Sequence, residues 1–270
     1  MNSTPPEVSV SVQIADCMDD IRWREARTAW KPPLVAYADA HDPLFERLKE
    51  VIGPAHLTPR ELLPGAETVI VYFLPFRERV ARSNRGAGPA SEDWAIAYIE
   101  TNELIDTINS QLALALERDG YAVVTVPPTH NFDEERLISN WSHKHAGYIA
   151  GLGTFGLHHM LITASGSAGR LGSLVTNARI TPTPRPDHEA CLYKHDGSCR
   201  ACVERCWVGA LQEDSFDRHK CYDICLDNAR TYAELGLADV CGKCVSVVPC
   251  SFIDPVGRRI NRSRDAARSR

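Results

Sequence analysis

Nine of the ten cysteines in this 270-residue chain fall between Cys191 and Cys250. A segment that short cannot bury enough apolar surface to fold on its own core, and in a reducing compartment such crowding points to inorganic staples rather than disulfides. The stretch CRACVERCWVGAL (199–211) repeats most of the [4Fe-4S] ferredoxin run C-x2-C-x2-C-x3-C-P. Cys199, Cys202 and Cys206 take its second, third and fourth positions, Asp196 stands at the first, and Trp207 stands where proline is expected. That proline only shapes the turn after the ligand, so its loss removes no metal bond. Cys191 is the available substitute for the missing first cysteine.

A second set follows. VCGKCVSVVPC supplies Cys241, Cys244 and Cys250, and HKCYDIC supplies Cys221 or Cys225. Two-cluster ferredoxins take three ligands of each cluster from one motif and the fourth from the other. The crossing rule assigns Cys191, Cys199, Cys202 and Cys250 to one [4Fe-4S] cluster and Cys206, Cys221, Cys241 and Cys244 to the other. Cys17 and Cys225 are then left as buried thiols. Zinc is the competing metal, because the C-x2-C pairs at 199/202 and 241/244 resemble a ribbon site, but four zinc ligands would strand Cys191, Cys206, Cys221 and Cys250.

The rest of the composition is that of an ordinary globular chain, 44% hydrophobic and 24% charged with a net charge of −5, and carries no overall basic character that calls for nucleic acid. MNSTPPEVSVSVQIADC has no basic region followed by an apolar run, and TVIVYFLPF (68–76) is far too short to span a bilayer. The expectation is a cytoplasmic protein with no membrane partner.

Strand-like and helix-like segments alternate through the first half. LVAYAD (34–39) reads as a buried strand, followed by a helix with Asp42 as cap, Pro43 at its first position and Gly53 as its stop. TVIVYFLPF is a second strand, and a long helix runs from the cap Ser91 to Gly120. YAVVTV (121–126) is a third strand, DEERLISNWSHKHAGYIA a helix ending at Gly151, and HMLITA and GRLGSLVT are short strands. TPTPRPD (181–187) reads as a linker. The organisation expected is an N-terminal extension over 1–30, an α/β core over 31–185, a ferredoxin-like module over 186–255, and a basic, disordered tail over 256–270 whose arginines can touch RNA phosphates only weakly.

Gly151, Gly153 and Gly156 form G-x-G-x-x-G, but a dinucleotide fold needs strand, glycine loop, then helix, whereas the order here is helix, loop, strand. AGLGTFG (150–156), LIT (161–163), LGSLVT (171–176) and the cysteine spacing together resemble the epoxyqueuosine reductase family and its relatives among the corrinoid-dependent reductive dehalogenases. The similarity covers roughly residues 30 to 255 and is strongest from 145 to 250.

The resemblance implies an α+β sandwich with a nitroreductase-like core that holds a cobalamin, and a double-cluster module that relays electrons to it from an external low-potential donor. By position it nominates Gly151, Gly153, Gly156, Thr163, Gly172, Ser173 and Thr176 for the cobalamin. The family carries an acidic residue in a turn before the AGLG helix; an ungapped alignment puts Leu137 there, and Asp133 or Glu134 reaches that place only after a shift. Asp133 is therefore a candidate catalytic residue, with His143, His145 and His158 as candidate proton donors near the glycine loop. His143 and His145, two apart on a helix, point about 200° from one another. These departures suggest a sister subfamily. Three functions stay open: a reductase of a small molecule or modified nucleoside, an electron-transfer or corrinoid-activating protein, and a binding module with structural clusters.

Overall fold

The computed structural model describes the backbone of residues 6–268 and the side chains of residues 10–263. Its centre is a four-stranded sheet in the order β1-β2-β8-β3, every neighbouring pair antiparallel. These strands are β1 (Leu34–Asp39), β2 (Thr68–Pro75), β3 (Val123–Thr125) and β8 (Gly169–Thr176). The expected α+β class is thus realised as a mixed α/β fold whose strand pairs are antiparallel.

All eight residues of β2 are buried, which an antiparallel strand achieves only when both faces of its sheet are covered. Its alternation divides the core in two. Ile70, Tyr72 and Leu74 pack on Leu104, Ile105, Ile108 and Leu112 of the long helix α6 (Glu92–Arg118). Val69, Val71 and Phe73 pack on the other side with Phe45 and Leu48 of α3 (Leu44–Val51) and Ala146 and Ile149 of α7 (His143–Ile149). The helix α6 begins where Ser91 accepts a hydrogen bond from the Trp94 N–H, with Glu92 and Asp93 in its first turn.

Tyr72 anchors the sheet to α6. Its hydroxyl lies 2.9 Å from Asn109 Oδ1 and 3.2 Å from the Ile105 carbonyl. Gly172 faces Tyr72 across the strand pair, and a Cβ on it would lie 2.3 Å from the Tyr72 ring. Only glycine leaves room for that ring.

The described part of the N-terminal segment joins the core. Helix α1 (Pro6–Asp19) buries Val10 and Ile14 against α6, and after the short helix α2 (Ile21–Arg24) Trp30 donates to Thr101 Oγ1 at 3.0 Å. Two short helices, α4 (Pro59–Leu62) and α5 (Glu78–Ser83), flank β2.

The stretch expected as one helix from DEERL to Gly151 is divided. A small hairpin, β4 (Phe132–Asp133) with β5 (Ile138–Ser139), precedes α7. Asp133 is the cause: its Oδ1 accepts the N–H groups of Glu135 and Arg136 at 3.0 and 2.8 Å, its carbonyl takes the Leu137 N–H, and Leu137 turns to φ +52°. A side chain that captures backbone donors in this way outcompetes the helix. The glycine loop then forms its own strand, β6 (Gly153–Phe155), paired with β7 (Leu161–Thr163).

The cysteine-rich segment carries α8 (Leu192–Asp196), α9 (Ala201–Glu204), α10 (Arg218–Thr231) and a 3-10 turn at Lys243–Val245. It is tied to the core by backbone hydrogen bonds, Ser167 N–H to the Cys250 carbonyl and Ala168 N–H to the Ser251 carbonyl, and by Asn84 donating to the Cys241 carbonyl. The basic run expected as a disordered tail is helical: α11 (Pro255–Arg268) starts with Pro255 in its first turn, and Asp254 Oδ1 accepts the Gly257 N–H at 2.8 Å. Residues 269 and 270 lie outside the described residues.

Candidate functional site

Folding gathers the cysteines into two groups. Cys191, Cys199, Cys202 and Cys250 line one small cavity together with His158, Leu157 and Pro249. Cys206, Cys221, Cys225, Cys241 and Cys244 line the wall of a larger crevice. These are the two quartets of the crossing rule, with Cys225 as a fifth thiol in the second. Cys221 and Cys225 sit one turn apart on α10, and the hydrogen bond between their thiols lowers the Cys221 pKa and raises that of Cys225. Cys17 stands apart, half-buried against the α1 and α6 core.

Cys191 and Cys202 are buried and the other thiols of the segment half-buried. Burial first, and then Cys191 and Cys199, push the Cys202 thiol up to about 11. Burial and then Cys191 push Cys250 up to about 12, and Cys244 is raised by burial and by Cys241. Two cations stand beside the second group. Lys243, 3% exposed, bonds the Asn84 carbonyl, and Arg205 bonds the carbonyls of Lys243, Asn84 and Arg85. Both meet carbonyl oxygens rather than carboxylates, so their charge is free to offset an anionic group held by the thiols. No group of three or more His, Cys, Asp or Glu among the described residues could hold a single metal ion.

The crevice has a volume of about 470 Å³, and an adjoining cavity of about 840 Å³ shares Leu137, Lys144, His159, Phe216 and Arg218 with it. Its walls are aromatic, with Trp94, Tyr98, Phe132 and Tyr222. Within them sit buried polar atoms without hydrogen-bond partners: Trp94 Nε1, Arg170 Nε and Asp239 Oδ1. Such atoms are costly to bury unless something satisfies them. The Arg170 guanidinium lies 4.1 Å over the Tyr98 ring, and burial lowers the pKa values of Arg170 and Lys144 and raises that of Tyr98.

The sequence candidates are distributed unevenly over this site. Of the seven residues nominated for a cobalamin, Gly156 alone lines one of these cavities. The open faces of Gly151, Gly153 and Gly172 are taken by the Pro184 carbonyl, the Ile162 carbonyl and the Tyr72 ring. Thr163, Ser173 and Thr176 are fully buried; the Thr163 and Thr176 hydroxyls donate to the Gly166 and Ala122 carbonyls, and the Ser173 hydroxyl accepts from the Trp141 Nε1–H.

Among the catalytic candidates, Asp133 is exposed and spends its carboxylate on the hairpin turn. His143 is held by Ser173 Oγ at 2.8 Å and the Pro127 carbonyl at 2.9 Å, and burial takes its pKa down to about 4. His145 turns the other way, as the helical spacing dictates, onto Ser142 Oγ and the Phe155 ring in the adjoining cavity; burial lowers it to about 4 as well. His158 lines both the crevice and the first cysteine cavity, and its Nε2 lies 3.4 Å from Cys250 Sγ. Leu137, aligned with the family's acid, lines the crevice, so that place is apolar here.

Tyr98, Lys144, Arg170 and Asp239 were not visible in the sequence as a site. Tyr98 falls in the apolar stripe of α6 and Arg170 near the start of a buried strand. The one available signal was a charged residue inside an otherwise apolar strand pattern.

No family model and no curated protein matches the chain. Among solved structures it superposes on an epoxyqueuosine reductase from Streptococcus thermophilus with a TM-score of 0.57 and 15% identity, covering 92% of this chain and 69% of that one. It superposes on an epoxyqueuosine reductase bound to an epoxyqueuosine-modified tRNA stem loop with a TM-score of 0.53 and 16% identity, covering 90% of this chain. A catabolic reductive dehalogenase in complex with 3-bromo-4-hydroxybenzoic acid matches with a TM-score of 0.58 and 18% identity, covering 84% of this chain. The chain spans 64% of the length of the tRNA-bound reductase and 31% of the dehalogenase. At these identities the likeness is one of fold: the chain has the architecture that the epoxyqueuosine reductases share with the reductive dehalogenase.

Proposed function

We propose that this protein is an iron-sulfur reductase that uses a corrinoid, held across the aromatic crevice and the adjoining cavity that Gly156 lines, to reduce an organic substrate. What supports the proposal is the position of the second thiol group on the crevice wall, where an electron-carrying centre held by those thiols would stand beside a space for a substrate. The donor set fits two [4Fe-4S] clusters: the first cavity offers four thiols and the second five, and a bound metal deprotonates its thiol ligands outright. They line spaces rather than converge on one point, which suits a cluster better than a zinc ion with four bonds near 2.3 Å. When bound, the clusters supply single electrons and the corrinoid supplies a cobalt centre through which an organic substrate is reduced.

The chain's own residues do the rest. Cys191, Cys199, Cys202 and Cys250 hold one cluster, and Cys206, Cys221, Cys241 and Cys244 the other. Lys243 and Arg205 offset the negative charge that ligated thiolates bring into the interior. Trp94, Arg170 and Asp239 present the orphaned polar atoms that bind the edges of a ligand, while Phe132 and Tyr222 exclude water from it. An external low-potential donor supplies the electrons. A small molecule or a modified nucleoside is the substrate class; the tRNA-bound neighbour supports the second.

Anaerobic purification from cells given cobalamin, with iron, sulfide and cobalt quantified per chain, tests the reading. About eight irons and one cobalt are expected. The apolar Leu137 favours a second reading, an electron-transfer or corrinoid-activating protein with no substrate of its own. About eight irons with no cobalt after added cobalamin select that one.

A further inference from the structure

We infer that His158 is a tuning residue whose Nε2–H hydrogen bond to Cys250 Sγ sets the potential of the cluster held by Cys191, Cys199, Cys202 and Cys250. The inference rests on the cluster assignment above but goes beyond it, because it says how this chain makes its two clusters different. His158 is 4% exposed, and its place is fixed from three sides. The ring lies flat on Gly156, where a Cβ would come within 2.5 Å of it. Its Nδ1 accepts the Met160 N–H at 3.1 Å, inside a tight turn closed by the His159 N–H on the Gly156 carbonyl. Its Nε2 reaches Cys250 Sγ at 3.4 Å.

The tautomer follows from that geometry. A backbone N–H can only donate, so Nδ1 carries the lone pair and Nε2 carries the proton. Nε2–H therefore points at the sulfur. Cys250 is itself held at its main chain, its carbonyl accepting both the N–H and the hydroxyl of Ser167, which fixes the position from which the sulfur projects toward the ring. A donor aimed at a ligating sulfur draws electron density from it and stabilises the reduced cluster, which raises the potential. In the second group the contact seen at Cys206 Sγ comes from the Leu211 backbone N–H at 3.3 Å, which no substitution of a side chain removes. The imidazole is thus a lever on one cluster alone.

The test is a redox titration of reconstituted protein followed by EPR, comparing wild type with His158→Phe and His158→Gln. Phenylalanine keeps a ring and loses the donor, whereas glutamine keeps an N–H. The expected result is one midpoint moved to more negative potential in His158→Phe with the other unchanged, and a return toward the wild-type value in His158→Gln. Two unmoved midpoints in a His158→Phe protein that keeps its iron overturn the inference. Wild-type protein labelled with ¹⁵N-histidine gives a check that does not depend on the variants folding: pulsed EPR of the reduced protein shows a histidine ¹⁵N coupling to a cluster, and its absence overturns the inference. Protein that binds no iron at all overturns the proposed function instead.

Discussion

The Arg170 guanidinium lies over the ring of Tyr98, 4.1 Å from its centroid, while the Tyr98 hydroxyl is 3.1 Å from Thr129 Oγ1. Ring and hydroxyl contribute separately. Tyr98→Phe removes the hydroxyl and its hydrogen bonding and keeps the cation on its ring, so it costs about 1 kcal/mol. Tyr98→Leu also leaves a buried guanidinium without its aromatic partner and costs a further ~2 kcal/mol. Urea unfolding of the two variants checks the order; equal losses would mean that the ring contributes nothing.

The cysteine assignment makes a stoichiometric prediction. Cys250→Ala and Cys221→Ala each lose about four of about eight irons. Cys17→Ala and Cys225→Ala keep their full complement. Iron and sulfide analysis decides, and loss of iron from Cys225→Ala with retention in Cys221→Ala would exchange the two thiols of α10.

His188 Nε2 sits 2.6 Å from Asp254 Oδ2, joining the approach to Cys191 to the start of α11. The hydrogen bond to Asp254 outweighs burial and raises the His188 pKa. The folded value therefore lies above the unfolded one near 6.5, so the pair's stabilisation is fully present below about pH 6.5 and is lost as pH rises through the raised value. The stability difference between wild type and His188→Gln should shrink steadily as pH rises above about 6.5 in denaturant titrations. A difference that stays flat or grows as pH rises counts against the pair.

Gly172→Ala places a methyl 2.3 Å from the Tyr72 ring in the middle of the sheet. Overpacking of that kind costs about 1–3 kcal/mol. A lowered thermal midpoint is expected, and an unchanged one would show that the ring moves aside freely.

The sheet and its long helix were legible because local signals and tertiary fate agree there. Ser91, the acidic pair after it and Gly120 bracket α6, and the unbroken apolar run of β2 announces a strand covered on both faces. The division of the cysteines between two cavities was legible from their spacing, with the pairs Cys199/Cys202 and Cys241/Cys244 each three apart and one pair in each cavity. The hairpin before α7 was not, since an apolar period reads as helix until Asp133 is seen to spend its carboxylate on the next turn. The glycine positions misled for a related reason. A glycine marks close approach without saying what approaches, and at 151, 153 and 172 it is the protein itself. Tyr98 and Arg170 come from α6 and β8, far apart in sequence, and only the packing of that helix on that sheet makes them neighbours.

Cys250, which completes the first group of thiols, follows every thiol of the second group along the chain and is held in place beside the central sheet, its own carbonyl on the Ser167 amide and that of Ser251 on the Ala168 amide. The first cavity therefore depends on the core as well as on the cysteine segment: a segment cut free of the sheet would keep all four thiols but lose the anchor that holds the fourth beside the others.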